Sequence, residues 1–324
     1  MGDQPTILAT GPIDQVAIDI LSPFGKIHTL PNGEPESILP LVDNAIGIAV
    51  RGGGSVNQVV IAAAEKLRVI GRTGVGLDNV DLATATKLGI PVVYTPAAGA
   101  SAVAEGAMAY MLALCKQLNY WDKQLKNGNW VSREKSRPTD LYGAILGILG
   151  LGNIGQTLAQ LAHPFGMTLL AYDPYVASEK ASELGIKLVG LDDLLTRADF
   201  ISIHTPLIPE TMGLINREKM KLVKKGSYLV NLARGGIIDS LDTLHEALLK
   251  GTLAGVGLDV FDPEPPDVSH PIFRHPNCLT SPHALGMTEG AMSRIFKSMA
   301  EDMAAVLQGD RPRFVANPEV FQNT

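Results

Sequence analysis

The sequence predicts an α/β chain made of two doubly wound parallel-sheet domains with a cleft between them. Short Val- and Ile-rich runs alternate with stretches of helical spacing, which implies parallel strands joined by crossover helices. A length of 324 residues suits two domains at about 150 residues each. The alternation also breaks once, in a polar stretch after the first hundred residues.

Apolar residues make up 46% of the chain and charged residues 19%, with a mean hydropathy of +0.15, which excludes disorder and requires large buried cores. A net charge of -6 and a pI near 5.7 argue against a nucleic-acid binder, which would normally show a basic face, and no such partner is expected. The two cysteines, Cys115 and Cys278, form no C-x-x-C pair, so neither a disulfide framework nor a Cys-based zinc site organises the fold; a reducing compartment fits. No segment reaches the ~18 apolar residues of a spanning helix. The longest, Gly106 to Cys115, is enclosed by Glu105 and Lys116. The N-terminus lacks a signal-peptide layout, so a cytoplasmic protein without membrane partners is expected. Met1 to Thr6 does fit the loose M-G-x-x-x-[ST] myristoylation pattern, which chance often produces.

Strands are expected at Thr6–Thr10, Lys26–Leu30, Ala45–Val50, Arg68–Arg72 and Pro91–Thr95, each short and bounded by Gly, Pro or charge. Helices are expected at Ile13–Leu21, Val56–Lys66 and Leu82–Leu88. A longer helix, about Ala102–Leu118, has Val103, Ala107, Met111, Leu114, Cys115 and Leu118 on one face. Asn119–Asp140 is polar and weakly periodic, and reads as an excursion over the surface or across a subunit interface. Alternation resumes with strands at Ala144–Leu149, Thr168–Tyr172, Phe200–His204, Tyr228–Leu232, Ala254–Val260 and Cys278–Ser281, a number that suits a dinucleotide-binding sheet. The final helix, about Glu289–Leu307, carries an apolar stripe from Met292 through Ile295, Phe296, Met299 and Met303 to Val306. The simplest topology returns this helix to the first domain, giving a discontinuous domain of 1–100 plus 290–324 and a second of 101–289.

Gly150-Leu151-Gly152-Asn153-Ile154-Gly155 is a G-x-G-x-x-G placed between an apolar strand and a helix, and the next strand ends in Asp173. Gly150 permits the tight turn, Gly152 lets the backbone approach a pyrophosphate, and Gly155 allows close helix–strand packing. The helix N-terminus presents N–H groups to the phosphates. Asp173 would accept from ribose hydroxyls and repel a 2′-phosphate. No Arg follows in Asp173-Pro174-Tyr175-Val176, so NAD is favoured over NADP.

Hydride transfer on a 2-hydroxy or 2-keto acid needs a cation for the carboxylate and carbonyl, an acid/base, and a group that tunes it. Such residues should lie beyond the carboxyl ends of parallel strands. Arg234, before Gly235-Gly236, offers a bidentate fork. Glu264 stands among Pro263, Pro265 and Pro266, which stiffen its loop. His283 follows the last strand. A carboxylate on one ring nitrogen would orient the ring, leaving the other nitrogen to exchange a proton. Of the other histidines, His28, His163 and His245 read as packing or surface residues, His270 and His275 as loop residues, and His204 as ending a strand near the cofactor. No metal-ligand spacing such as H-E-x-x-H occurs, and no metal is expected.

These stretches together resemble the D-isomer-specific 2-hydroxyacid dehydrogenase family over nearly the whole chain. The matching segments are Gly71–Asp81, Gly150–Gly155, His204-Thr205-Pro206-Leu207 with Glu210-Thr211, Asn231–Gly236, Gly257–Pro265 and Ser281-Pro282-His283. The resemblance implies a flavodoxin-like substrate domain and a Rossmann cofactor domain, with Arg234, Glu264 and His283 as the catalytic set. It implies substrate contacts from the backbone of Val75 and Gly76, with Arg51 and Gly52 nearby, and a nicotinamide carboxamide received by Asp259. Asn153, Ile154, Asp173, His204, Thr205, Pro206, Thr211, Leu232, Ala233 and Gly286 would complete the NAD site, and a homodimer is implied.

The first-domain glycine run is similar to that of D-3-phosphoglycerate dehydrogenases and hydroxypyruvate reductases. Arg51-Gly52-Gly53-Gly54-Ser55, however, replaces their polar R-S-x-T-type segment, and Gly99 stands where an Asn is frequent. Three glycines leave backbone N–H groups as anion contacts, and Arg51 could meet a distal anion. The acid therefore stays open between phosphoglycerate-like and hydroxypyruvate- or glyoxylate-like. The alternative to an enzyme is an NAD-sensing, dehydrogenase-like corepressor or binding protein, because relatives of that kind retain the same residues.

Overall fold

The computed structural model describes residues 4–322 and divides the chain into two units, Met1–Gly99 with Met287–Thr324 and Ala100–Gly286. Gly2 of the myristoylation pattern lies outside the described residues. The expected boundaries at 100/101 and 289/290 fall at 99/100 and 286/287.

The first unit runs β1 (Thr6–Ala9), α1 (Gln15–Leu21), β2 (Lys26–Thr29), α2 (Pro35–Ile38), β3 (Ala45–Val50), α3 (Gln58–Ala63), β4 (Val69–Arg72), α4 (Leu82–Lys87) and β5 (Val92–Val93). Its parallel sheet has the order β2-β1-β3-β4-β5, the flavodoxin-like order. Asx caps start the helices: Asp14 accepts from Val16 N, Asn57 from Val59 and Val60 N, and Asp81 from Thr84 N. The Asn57 cap sets the start of the helix expected at 56–66 at Gln58, and its end falls at Ala63 because Ala64 leaves helical geometry at φ -90, ψ 73. Pro91 carries no N–H for a ladder, and the expected strand at 91–95 shrinks to Val92–Val93.

The second unit runs α5 (Ala100–Cys115), α6 (Leu118–Lys126), β6 (Ile145–Leu149), α7 (Asn153–Ala162), β7 (Thr168–Tyr172), α8 (Ser178–Glu183), β8 (Ile186–Leu188), α9 (Leu191–Arg197), β9 (Phe200–Ile203), α10 (Arg217–Met220), β10 (Ser227–Asn231), α11 (Leu241–Leu249), β11 (Leu253–Leu258) and β12 (Cys278–Thr280). The seven parallel strands are ordered β12-β11-β10-β9-β6-β7-β8. One core packs α5 and α7 on one face, and another packs α9 and α11 on the other. β6 lies between β7 and β9, so the strand order reverses there, and the carboxyl ends of β6 and β9 flank the switch point where open α/β sheets bind ligands.

Two sequence expectations are corrected in this unit. The sheet has a seventh strand, Ile186–Leu188, a three-residue edge strand too short to show a period. The polar stretch 119–140 is not irregular throughout: α6 fills Leu118–Lys126 and a 3₁₀ turn fills Trp130–Glu134. α6 buries no residue, and Leu118, expected on the apolar face of the preceding helix, is exposed.

Helix α12 (Glu289–Gln308) belongs to the first unit and packs with α1 on one sheet face. Gly71 makes room for it, since a Cβ there would stand 2.3 Å from Met303 Sδ. Thr288 caps its start, and Gly309 ends it at φ +93.

Candidate active site

The glycine loop closes the carboxyl end of β6. Gly150 has φ +91, and a Cβ on it would stand 2.7 Å from Thr205 N; a Cβ on Gly155 would stand 2.2 Å from Gly150 O. At Gly152, by contrast, a Cβ would meet nothing within 4 Å. The first and third glycines therefore serve backbone packing, while the middle one keeps space open at the start of α7. Gly152 is the N-cap of α7, and no side chain caps that end. Asp173 ties the loop to the end of β7: its Oδ2 accepts from Leu151 N at 2.8 Å and its Oδ1 from Tyr175 N at 2.9 Å. Each carboxylate oxygen keeps a lone pair for a ribose hydroxyl.

His204 lies just beyond β9, against Gly150. Its Nε2 pairs with Ser202 Oγ at 2.7 Å, while Nδ1 is buried without a hydrogen-bond partner. Burial pulls its pKa down to about 3, so the ring stays neutral. An open space at the helix terminus, a ribose-competent carboxylate and an orphaned imidazole nitrogen together fit a dinucleotide. Thr211 is committed locally: its Oγ1 accepts from Ile208 N at 2.9 Å and donates to Pro206 O at 2.6 Å, closing the 206–211 turn.

The three polar residues expected to catalyse lie in neighbouring segments. Glu264 Oε2 meets His283 Nδ1 at 2.9 Å, and Glu264 Oε1 accepts from Phe261 N at 3.0 Å. The carboxylate is thus aimed by its own loop. Arg234 caps a short 3₁₀ turn in extended conformation, its Nη1 donating to Ala233 O at 2.7 Å. Fully buried Asn231 sets this turn, donating from Nδ2 to Arg234 O at 2.8 Å and accepting on Oδ1 from Ala233 N at 3.0 Å. Gly235 packs on the neighbouring loop so closely that a Cβ would stand 2.0 Å from Phe261 C. The Arg234 turn and the Glu264 loop therefore touch backbone to backbone. Leu232 is buried beside them.

His283 itself has φ +54, a region that side chains other than glycine rarely adopt. Asp259 holds the turn in place. This buried carboxylate accepts from Ser281 Oγ at 2.5 Å, Ala284 N at 2.8 Å and Leu285 N at 3.2 Å. Asp259, for which the family resemblance implies a nicotinamide contact, clamps the His283 turn from both sides. Gly286 packs on α5, where a Cβ would stand 2.9 Å from Val103 Cγ2.

In the first unit, Thr10 latches Arg51, accepting from its N at 2.8 Å and donating to its O at 3.2 Å. The Arg51 guanidinium lies 5.8 Å from the Phe296 ring centroid. The glycine run is less open than expected. Gly54 N donates to Arg51 O at 3.3 Å, and Asn79 Nδ2 holds Gly52 O at 3.0 Å and Gly54 O at 2.5 Å, while Asn79 Oδ1 accepts from Arg72 Nε at 3.0 Å. Gly74, at φ +118, pairs with Thr95 and turns the chain so that Val75 is exposed beside Gly76. Sequence reasoning assigned no role to Asn231, Ser281, Thr10 or Asn79. Thr10, Asn231 and Ser281 each left the same faint signal, a polar residue at the end of an apolar strand, and Asn79 left none.

Among the described residues no group of three or more His, Cys, Asp and Glu could hold a metal, and no helix is long and apolar enough to cross a membrane. Residues 108–284 match the family model of the D-isomer specific 2-hydroxyacid dehydrogenase NAD binding domain. The D-3-phosphoglycerate dehydrogenase of Methanocaldococcus jannaschii is 41% identical over 96% of this chain, and the chain spans only 59% of that relative's length. The TT0316 protein of Thermus thermophilus has a TM-score of 0.86 at 32% identity, covering 96% of this chain and 99% of its own. A glyoxylate reductase from Paecilomyes thermophila has a TM-score of 0.88 at 27% identity, covering 98% of this chain and 99% of its own. The chain belongs to the D-isomer-specific 2-hydroxyacid dehydrogenase family, with an NAD-binding domain over residues 108–284.

Proposed function

We propose that the protein is an NAD-dependent oxidoreductase that reversibly converts a short 2-keto acid to its D-2-hydroxy acid. One observation carries the reading: the carboxylate of Glu264 that orients the His283 imidazole lies on a loop whose backbone rests against the turn bearing Arg234. NADH, when bound, supplies the hydride that reaches the keto carbon. Arg234 grips the carboxylate in a fork and draws electron density from the carbonyl. Glu264 occupies Nδ1 of His283, so Nε2 delivers the proton to the forming alkoxide and recovers it in oxidation. One hydride and one proton account for the hydroxy acid.

Arg51 and the backbone at Gly52, Val75 and Gly76 are the proposed substrate contacts of the first unit. The names of the relatives, a phosphoglycerate dehydrogenase and a glyoxylate reductase, bracket the acid as phosphoglycerate-like or hydroxypyruvate/glyoxylate-like. A homodimer is supported by α6, which buries no residue, and by exposed Leu118, Leu125, Trp130 and Val131 along this segment. Two free cysteines suit a cytoplasmic location.

The test is NADH oxidation against glyoxylate, hydroxypyruvate, phosphohydroxypyruvate, sulfopyruvate and pyruvate. One or more acids should turn over, and Arg234→Ala or His283→Ala should each lower kcat/KM by orders of magnitude while NADH still binds. Near-normal turnover in both variants refutes the assignment. Silence across the panel with NADH bound points to a corepressor-like binding role instead.

A further inference from the structure

We propose that Tyr110 is a positioning residue for His283, acting through Ser281 and Asp259. The inference deepens the reading of His283 as the proton donor and rests on it for the catalytic consequence.

Tyr110 lies on α5, buried against β11. Its phenolic oxygen is 2.5 Å from Ser281 Oγ and 3.2 Å from Leu258 O. Ser281 has a single hydroxyl proton, and it donates that proton to Asp259 Oδ1. The phenol must then be the donor in its contact with Ser281, and it shares its one proton between Ser281 Oγ at 2.5 Å and the more distant Leu258 O. Burial pushes its pKa up to about 12, so it remains a donor through neutral pH. The result is a one-way chain of hydrogen bonds from Tyr110 to Ser281 to Asp259, and the same carboxylate holds Ala284 N and Leu285 N. His283 sits between the residues so held, in a backbone conformation that needs support from its surroundings.

The strand is shaped to admit the phenol. A Cβ on Gly257 would stand 2.8 Å from the Tyr110 ring, so only glycine lets the ring pack this closely on β11. Successive residues then do different work: Gly257 admits the ring, Leu258 offers its carbonyl, and Asp259 receives the far end of the chain. A tyrosine placed only to fill the core would not need its hydroxyl at this point.

Tyr110→Phe, made in the full chain, keeps the ring and removes the donor. With NADH and either glyoxylate or hydroxypyruvate, kcat should fall about tenfold while the KM for NADH stays within twofold. The imidazole signal of His283 in a nitrogen-15 histidine spectrum, assigned by its loss in His283→Gln, should broaden or move. Ser281→Ala should reproduce both effects, and the double variant should be no worse than the poorer single one, as expected for one chain. Unchanged kcat together with an unchanged His283 signal in Tyr110→Phe overturns the proposal, as does strict additivity of the two substitutions. If the unmodified protein reduces none of the acids, the dehydrogenase reading fails separately. The spectrum needs no turnover and then decides by itself whether Tyr110 positions His283.

Discussion

Replacing His204 with Gln should remove a pH-dependent loss of stability from the unit that carries the glycine loop. In an unfolded chain a histidine takes up a proton below about pH 6.5. Folded His204 resists protonation until about pH 3, because burial penalises the imidazolium. Between these values the unfolded state binds more protons, so stability present above pH 6.5 is lost as the pH falls. At pH 5 the loss works out to about 2 kcal/mol, and at pH 7.5 it is close to nothing. Gln at this position does not titrate and can still pair with Ser202. Both tryptophans, Trp121 and Trp130, lie in the same unit as His204, so their fluorescence reports its unfolding. Between pH 7.5 and 5, the urea midpoint of the unmodified protein should drop by roughly 0.7–1 M more than that of His204→Gln. Parallel pH dependence in the two proteins would mean that His204 is hydrated in the folded state, and its neutrality beside the cofactor loop would have to be abandoned.

The paired glycines of the loop should separate folding from binding. Gly155→Ala forces a methyl against Gly150 O and should cost about 1–3 kcal/mol in thermal unfolding as well as NADH affinity, whereas Gly152→Ala should leave Tm unchanged and weaken NADH alone by calorimetry. Asn231→Ala leaves Ala233 N–H and Arg234 C=O without their side-chain partner; a loss of about 2 kcal/mol by denaturant titration, with reduced kcat, is the expected outcome. Gly235→Ala should lower kcat/KM about a hundredfold while NADH still binds, because the added methyl drives the Arg234 turn away from the Phe261–Asp262 peptide. Cys278, its thiol pushed by burial to about 12, should react with a disulfide reagent at pH 8 about 10³ times more slowly than a free thiol, measured on the native protein.

The features legible in the sequence are those with a strong local signal. Ala45–Val50 and Thr168–Tyr172 are continuous or nearly continuous apolar runs, and both are strands with those bounds. Ile186–Leu188 carries a lysine in its middle and pairs on one side only, so neither period nor composition separates it from a loop. α6 failed for the opposite reason. Its helix-forming residues bury nothing, and no apolar stripe facing a core of its own unit betrayed it. At the site, Arg234, Glu264 and His283 stood out because charged residues immediately after apolar strands are chemically conspicuous. The groups that aim them did not. Asn79 reaches back to Gly52 and Gly54, and Tyr110 acts across to Ser281; only the packed fold brings such residues together.

The way these loops are registered explains why so much of the family likeness is glycine. For the proposed chemistry, an arginine on the turn after one strand and a carboxylate–imidazole pair on the next loops must keep their spacing to within fractions of an ångström. Side chains at the contact would leave that spacing to rotamers. Here, instead, Gly235 meets the Phe261 peptide and Gly150 meets the His204–Thr205 peptide, so backbone planes set the distance. Hydrogen bonds from Asn231 and Asp259 then stop each turn from sliding along its neighbour. Backbone contact has no tolerance for a larger residue, whereas the exposed side chain of Val75 is not constrained in this way. If the proposed substrate contacts at Arg51, Gly52, Val75 and Gly76 hold, substrate preference can change in the first unit's loops without touching the Arg234, Glu264 and His283 turns, and the replacement of a polar segment by Gly52-Gly53-Gly54 is a change of that kind.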